Sequence, residues 1–197
     1  MSLEIKNVTK RFGDKIILQN FSYKFDNSGI YAITGDSGIG KTTLLRMIAS
    51  LDKDFDGEIL GGGFSNVSLA FQEYRLFPQL SALENIIFSV SDRKDEAVSE
   101  KTYNLLAMLG LSGSDIELLP DQLSGGMKQR VSIARALISN KKIILLDEPT
   151  KELDAENSEN VLRLIKEISK NKLVILVSHN DADLSFLNAI RIDIQRK

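Results

Sequence analysis

The chain has 197 residues, is 43% hydrophobic, and carries 25 basic and 27 acidic side chains with no cysteine. This length and composition suit one compact domain with a substantial core. The balanced charge excludes a general basic field for nucleic acid, though not a local patch, and the missing cysteines exclude disulfides and thiolate metal sites.

The N-terminal part predicts strands that lead into a helix. Residues 3–8 alternate apolar and polar side chains, as a half-buried strand does, and residues 15–25 predict a hairpin partner or second strand. Residues 30–34 form an apolar run suited to a buried strand, and residues 43–51 have the apolar spacing of a helix.

Between this strand and helix, residues 35–42 read Gly-Asp-Ser-Gly-Ile-Gly-Lys-Thr and fit the phosphate-binding pattern G-x-x-x-x-G-K-[ST]. The glycines let consecutive N–H groups point into one nest around phosphate oxygens. Lys41 adds a charge near the β- and γ-phosphates, and the Thr42 hydroxyl is placed to bind Mg²⁺. The alternative is a glycine-rich turn with a chance lysine, which the strand, loop and helix order opposes.

The middle of the chain is mainly helical. Residues 56–60 and 67–71 predict short strands, whereas residues 80–111 and 124–139 have helical patterns. The charged run at 92–96 is interpreted as a solvated turn or a helix start. We interpret approximately 77–140 as a helical subdomain inserted into a single domain that covers residues 1–197.

The C-terminal part returns to alternating strands and helices. Residues 142–146 and 173–177 predict buried strands, residues 155–170 an amphipathic helix, and residues 190–194 a closing edge strand. Apolar strands that alternate with helices imply a mostly parallel sheet covered on both faces, which is an α/β fold.

Two carboxylates follow the first of these strands. A parallel strand delivers the residues at its carboxyl end to the ligand crevice. Asp147 is therefore placed to hold Mg²⁺, directly or through water, and Glu148 to polarise an attacking water. The alternative is that these acids merely end a strand and cap the turn before Pro149.

A second candidate anion site lies in residues 123–130, which read Leu-Ser-Gly-Gly-Met-Lys-Gln-Arg. Ser124 is a good N-cap, and Gly125 and Gly126 expose backbone N–H groups at a helix start. One nucleotide needs one phosphate nest, so a second nest suggests phosphate contacts across a subunit interface. A plain helix cap is the alternative, and the Gln129-Arg130 that follows disfavours it.

With these motifs in this order, essentially the whole chain resembles the ATP-binding cassette family, the nucleotide-binding subunits of ABC transporters. The resemblance implies a P-loop NTPase with a mostly parallel sheet, an N-terminal antiparallel β subdomain and an inserted helical subdomain. It implies ATP contacts from one nucleotide-facing group and, on the opposite subunit, from a signature motif made of Ser124, Gly125 and Gly126. The nucleotide-facing group comprises Phe12, Gly35, Asp36, Ser37, Gly38, Ile39, Gly40, Lys41, Thr42 and Thr43.

The resemblance also implies individual roles. It implies catalysis by Glu148, His179, Gln72 and Lys41, and Mg²⁺ binding by Thr42, Gln72 and Asp147. Phe12 matches the aromatic ring that stacks on adenine, and His179, the only histidine, matches a switch residue at the γ-phosphate. The alternatives are a core aromatic for Phe12, a polar strand terminus for Gln72 and an ordinary residue for His179.

Some features depart from the family pattern. Residues 151–154, Lys-Glu-Leu-Asp, match the D-loop, but Lys151 stands where the family has a small or amide residue. Phe12 replaces the commoner tyrosine. The spacing from Lys41 to Gln72 is short, so we expect the antiparallel strand region around 57–71 to be trimmed. We expect no C-terminal regulatory domain.

The resemblance implies a subunit that binds and hydrolyses ATP to energise solute transport. It implies a homodimer or heterodimer of ATPase subunits around two MgATP and an integral membrane permease as partner. It also implies a cytoplasmic location at the membrane face, and we expect no direct binding of nucleic acid. Residues 73–78 are a candidate docking segment for the permease, or they only pack the start of the helical part. The alternative function is a soluble ABC ATPase of a non-transport assembly, for example iron–sulfur assembly. A kinase or GTPase is disfavoured by the signature.

Overall fold

Two β-sheets of different kinds organise the chain. The computed structural model describes residues 2–90 and 96–195. Strands β1 Glu4–Phe12, β2 Lys15–Lys24 and β4 Asp56–Leu60 form an antiparallel sheet in the order β2-β1-β4. A second sheet is parallel and has the order β5-β6-β7-β3-β8. Its strands are β3 Gly29–Thr34, β5 Val67–Ala70, β6 Ile143–Asp147, β7 Leu173–Val177 and β8 Ile190–Asp193.

Helices cover the parallel sheet. They are α1 Lys41–Ile48, α2 Ala82–Ile87, α3 Glu96–Met108, α4 Gly125–Leu137, α5 Ala155–Ile168 and α6 Asp181–Leu187, with a 3₁₀ helix at Gly113–Glu117. Ser81 begins α2 with a capping box to Glu84, and Asp154 caps α5 through the N–H of Asn157. No helix of the described residues combines the length and the apolar character that crossing a bilayer requires.

The core lies on both faces of the parallel sheet. In β6, Ile144 and Leu146 face a cluster shared with α2, α3 and α4, whereas Ile143 and Leu145 face a cluster shared with α1 and the antiparallel sheet. Every residue of β6 and β7 is buried. Burial on both faces explains why these strands are continuous apolar runs rather than alternating ones.

The structure confirms the predicted α/β fold with a parallel sheet, an antiparallel sheet and a helical part between β5 and β6. The strand region around 57–71 is not wholly antiparallel, because β5 pairs in parallel with β6 and only β4 joins the antiparallel sheet. Residues 92–95 of the charged run lie outside the described residues, and Glu96 begins α3. The edge strand β8 is confirmed, while α6 and the 3₁₀ helix were not predicted.

Candidate functional site

A cavity of about 460 Å³ lies where β3, β6 and β7 end. The phosphate-loop residues, the two carboxylates at the end of β6 and the histidine that follows β7 lie together there. This is the edge of a parallel sheet at which α/β proteins bind ligands. The cavity is lined by Phe12, Ile17, Ser37, Gly38, Gly40, Lys41, Thr42, Thr43, Gln72, Asp147, Glu148, Lys151, Val177 and His179.

The loop at 35–42 wraps around its own lysine. Lys41 Nζ donates hydrogen bonds to the carbonyl oxygens of Gly35 at 2.8 Å and Asp36 at 2.9 Å. Gly40 has φ +112°, and a Cβ there would lie 2.1 Å from Ile17 Cγ2, so only glycine fits. Ile39 is buried in the core instead of facing the cavity. Within this loop, Gly35, Asp36 and Ile39 therefore shape the nest without lining it.

A hydroxyl and a carboxylate that could bind Mg²⁺ lie together at the start of α1. Thr42 Oγ1 donates a 2.8 Å hydrogen bond to Asp147 Oδ2. Asp147 Oδ1 is buried and has no hydrogen-bond partner among the described residues. Burial raises the pKa of Asp147, and the Thr42 hydrogen bond and the Lys41 charge oppose that rise. A hydroxyl beside a carboxylate with a free buried oxygen matches the oxygen ligands that Mg²⁺ prefers.

Glu148 and His179 face each other across the cavity. Glu148 Oε1 lies 3.4 Å from His179 Nε2. Burial raises the pKa of Glu148, and the neighbouring His179 lowers it. Glu148 has φ +52°, an uncommon conformation for a non-glycine residue. The Glu148 N–H donates a 2.9 Å hydrogen bond to the Val177 carbonyl, and the Glu148 carbonyl accepts a 3.2 Å bond from Gln129 Nε2. These bonds hold the main chain from which the carboxylate projects.

Phe12 lies at the end of β1 and is 54% exposed, so it is not a core aromatic. Lys10 Nζ lies 4.8 Å from the centroid of its ring. That ammonium is itself buried and bonds the carboxylates of Asp52 at 3.0 Å and Asp54 at 3.3 Å. The ring therefore has an anchored cation on it and an exposed surface at the cavity.

The signature lies apart from this cavity. Ser124 caps α4, and its Oγ accepts a hydrogen bond from the Met127 N–H at 3.2 Å. Ser124, Gly125 and Gly126 do not line the cavity around Lys41. The predicted site residues are thus split into two groups within one copy of the chain.

Three residues contribute to the site although the sequence analysis predicted no role in it for them. Gln129 supports Glu148 and was visible in the quoted signature segment, although no role was predicted for it. Lys151 lines the cavity but was noted only as a departure from the family. Ile17, which packs against Gly40, carried no sequence signal.

The fold and this cavity define a nucleotide-binding α/β protein of the P-loop type. A family model described as ABC transporter matches residues 18–151, and the chain belongs to that family. A solved dimeric structure of a post-hydrolysis state of the ATP-binding cassette MJ0796, bound to ADP and Pi, matches with a TM-score of 0.86 and 31% identity. The match covers 98% of this chain and 97% of that chain.

Curated relatives include both import and export proteins. The Fe(3+) ions import ATP-binding protein FbpC of Brucella suis is 38% identical over 86% of this chain and 51% of its own length. The aliphatic sulfonates import ATP-binding protein SsuB of Bacillus cereus is 36% identical over 95% of this chain and 79% of its own length. The macrolide export ATP-binding/permease protein MacB of Pasteurella multocida is 37% identical over 90% of this chain and 31% of its own length. The chain spans about half the length of the iron-import relatives that it matches.

Proposed function

We propose that this chain binds and hydrolyses ATP and thereby energises the transport of a solute across a membrane. The observation that carries the proposal is the single cavity that combines Lys41, the Thr42–Asp147 pair and Glu148. Similarity to import and export ATP-binding proteins supports the transport reading.

In this proposal each part of the cavity meets one part of ATP. The exposed ring of Phe12 stacks on adenine. The backbone N–H groups of the phosphate loop and Lys41 Nζ bind the β- and γ-phosphates. Thr42 and Asp147 would hold Mg²⁺, with Gln72 beside them, and the ion neutralises phosphate charge when bound.

Hydrolysis then depends on positioning a water. A Glu148 carboxylate oxygen accepts the proton of the attacking water, and the raised pKa of this group favours holding that proton. His179 Nε2 lies beside this carboxylate and donates a hydrogen bond toward the γ-phosphate. Most of the rate gain comes from orientation and electrostatics, because little covalent chemistry falls to the protein.

We further propose that two copies, or one copy and a similar subunit, complete the site together. The signature lies outside the cavity, and this separation supports a dimer in which Ser124, Gly125 and Gly126 face the γ-phosphate held by the other subunit. ATP favours the closed dimer because the γ-phosphate supplies contacts that ADP lacks. The similarity to the dimeric MJ0796 cassette supports a dimer.

An integral membrane permease is the proposed partner, on the cytoplasmic face of the membrane. In the candidate docking segment, residues 73–78, Leu76 packs against the core, but Phe77 is 43% exposed. The Phe77 ring lies 4.9 Å from that of Phe88, which is also exposed. The segment therefore both packs the helical part and offers an aromatic surface that suits a partner helix.

The test is affinity purification of the tagged chain from gently solubilised host membranes, with partners identified by mass spectrometry. We expect a stoichiometric polytopic membrane protein, which Phe77→Asp loses and Phe64→Asp keeps. Phe64 is the matched control because it is a 63% exposed phenylalanine outside the docking segment. Recovery of only soluble assembly factors, equally with both variants, would reject transport and favour a non-transport ABC ATPase.

A further inference from the structure

Glu152 of the D-loop and Tyr74 of the docking segment contact each other beside the signature motif. The Tyr74 hydroxyl donates a hydrogen bond to Glu152 Oε2. A Cβ built on Gly125 would lie 2.7 Å from the same oxygen and 3.4 Å from the Tyr74 hydroxyl. One built on Gly126 would lie 3.1 Å from the Glu152 carbonyl oxygen. The Glu152 carboxylate therefore lies against Gly125, and the main-chain carbonyl of Glu152 lies against Gly126.

This carboxylate stands where an anion is favoured. The first turn of α4 contains no acidic residue of its own, and its N–H groups carry the positive end of the helix dipole. Ser124 Oγ accepts a hydrogen bond from the Met127 N–H at 3.2 Å. Burial and the bond to Glu152 raise the pKa of Tyr74 to about 12, so its hydroxyl remains a proton donor at neutral pH.

We propose that the Glu152 carboxylate blocks the signature motif of its own subunit. It must move away before the ATP bound to a second copy can contact that motif. This proposal rests on the proposed function, in which the signature binds the γ-phosphate of the other subunit. A carboxylate and a γ-phosphate carry like charges, and both are drawn to the same helix N-terminus. Tyr74 holds the carboxylate in place and so sets how readily the dimer closes.

The same contact gives the docking segment a route to the signature. Arg135 of α4 donates hydrogen bonds to the Tyr74 carbonyl at 2.9 Å and to the Arg75 carbonyl at 2.8 Å. Tyr74 is thus tied to α4 through its backbone and to the D-loop through its side chain. A partner that shifts this segment pulls the Tyr74 hydroxyl from Glu152 and frees the signature.

The test uses full-length protein with Glu148→Gln, which keeps bound ATP intact, and measures dimer mass by analytical ultracentrifugation across MgATP concentrations. We expect added Tyr74→Phe or Glu152→Ala to lower the MgATP concentration for half-dimerisation about tenfold. Glu152→Gln, which removes the charge, should give a similar shift. Tyr103→Phe and Glu167→Ala, at exposed positions on α3 and α5, should leave it unchanged.

A second measurement separates this role from a structural one. The Kd of a fluorescent ATP analogue, measured at protein concentrations too dilute to dimerise, should be the same in all variants. Unchanged or weaker dimerisation by Tyr74→Phe and Glu152→Ala, with this Kd retained, overturns the proposal alone. A parent that does not bind the nucleotide at all overturns the proposed function and this inference together.

Discussion

At Glu148, the proposed catalytic base, the backbone and the side chain are constrained separately. Gln129 and Val177 hold the backbone of Glu148, while its carboxylate faces His179 at 3.4 Å. A change confined to the carboxylate therefore leaves the surrounding structure intact. This separation makes Glu148 a clean position at which to test the hydrolysis step.

We expect Glu148→Gln to lower the ATP turnover number at least about 100-fold, because the amide cannot take the proton of the attacking water. ATP affinity should be retained, since Lys41 and the phosphate loop are untouched. Turnover is measured by phosphate release, and binding by titration with a fluorescent ATP analogue. Glu159→Gln, on the exposed face of α5, is the control and should behave as wild type. Unchanged turnover in Glu148→Gln would reject the proposed base.

At the scale of residues, short sequence motifs predicted most of the residues in the candidate site. Lys41, Thr42 and Asp147 were predicted because a phosphate loop and a strand end fix local geometry within a few residues. The Tyr74–Glu152 contact was not predicted, since it joins residues far apart in sequence that only tertiary packing brings together. Ile39 fits the motif as a variable position, and its burial follows from the loop's packing on the core.

Among the elements, α4 is the one that ties the helical part to the rest. Arg130 donates to the carbonyls of Leu109 at 2.8 Å, Gly110 at 2.9 Å and Gly126 at 3.2 Å, and to Asn157 Oδ1 at 2.7 Å. One buried guanidinium therefore joins the end of α3, the start of α4 and the first turn of α5.

We expect Arg130→Met to lower the free energy of unfolding by about 2–4 kcal/mol, because the buried Leu109 carbonyl and the part-buried carbonyls of Gly110 and Gly126 lose their donor. For a chain of this size that corresponds to a fall in Tm of about 5–15 °C. Arg163→Met is the control, since Arg163 forms an exposed pair with Glu159 and its loss should change stability by about 0.5 kcal/mol or less. Thermal unfolding followed by circular dichroism distinguishes the two, and equal Tm values would contradict the bridging role.

Periodicity best predicted the elements that bury a continuous or one-sided apolar surface. The strands β6 and β7 and the helices α4 and α5 were predicted because they bury continuous or one-sided apolar surface. Helix α6 has only seven residues, too few for a clear helical period. The pairing of β5 with β6 was also missed, because a four-residue strand does not reveal which sheet it joins.

For the whole molecule, the cavity draws on both sheets. Phe12 belongs to β1 of the antiparallel sheet, whereas Asp147 and Val177 end strands of the parallel sheet. A nucleotide bound in this cavity would contact both sheets and α1 at once. Its binding free energy should therefore stabilise the fold as a unit rather than one sheet alone.

We expect MgATP at about 100 times its Kd to add roughly 2.7 kcal/mol to the stability of the Glu148→Gln protein, which does not consume the ligand. This corresponds to a rise in Tm of about 5–11 °C for a chain of this size. Chelating the metal with EDTA should reduce the rise, because Thr42 and Asp147 then lose the ion that links them to the phosphates. Lys41→Ala should abolish most of it at the same MgATP concentration, whereas Lys53→Ala, at an exposed position beyond α1, should keep it. An equal rise in Lys41→Ala would place the nucleotide outside this cavity, and two separate transitions would show that it stabilises only one sheet.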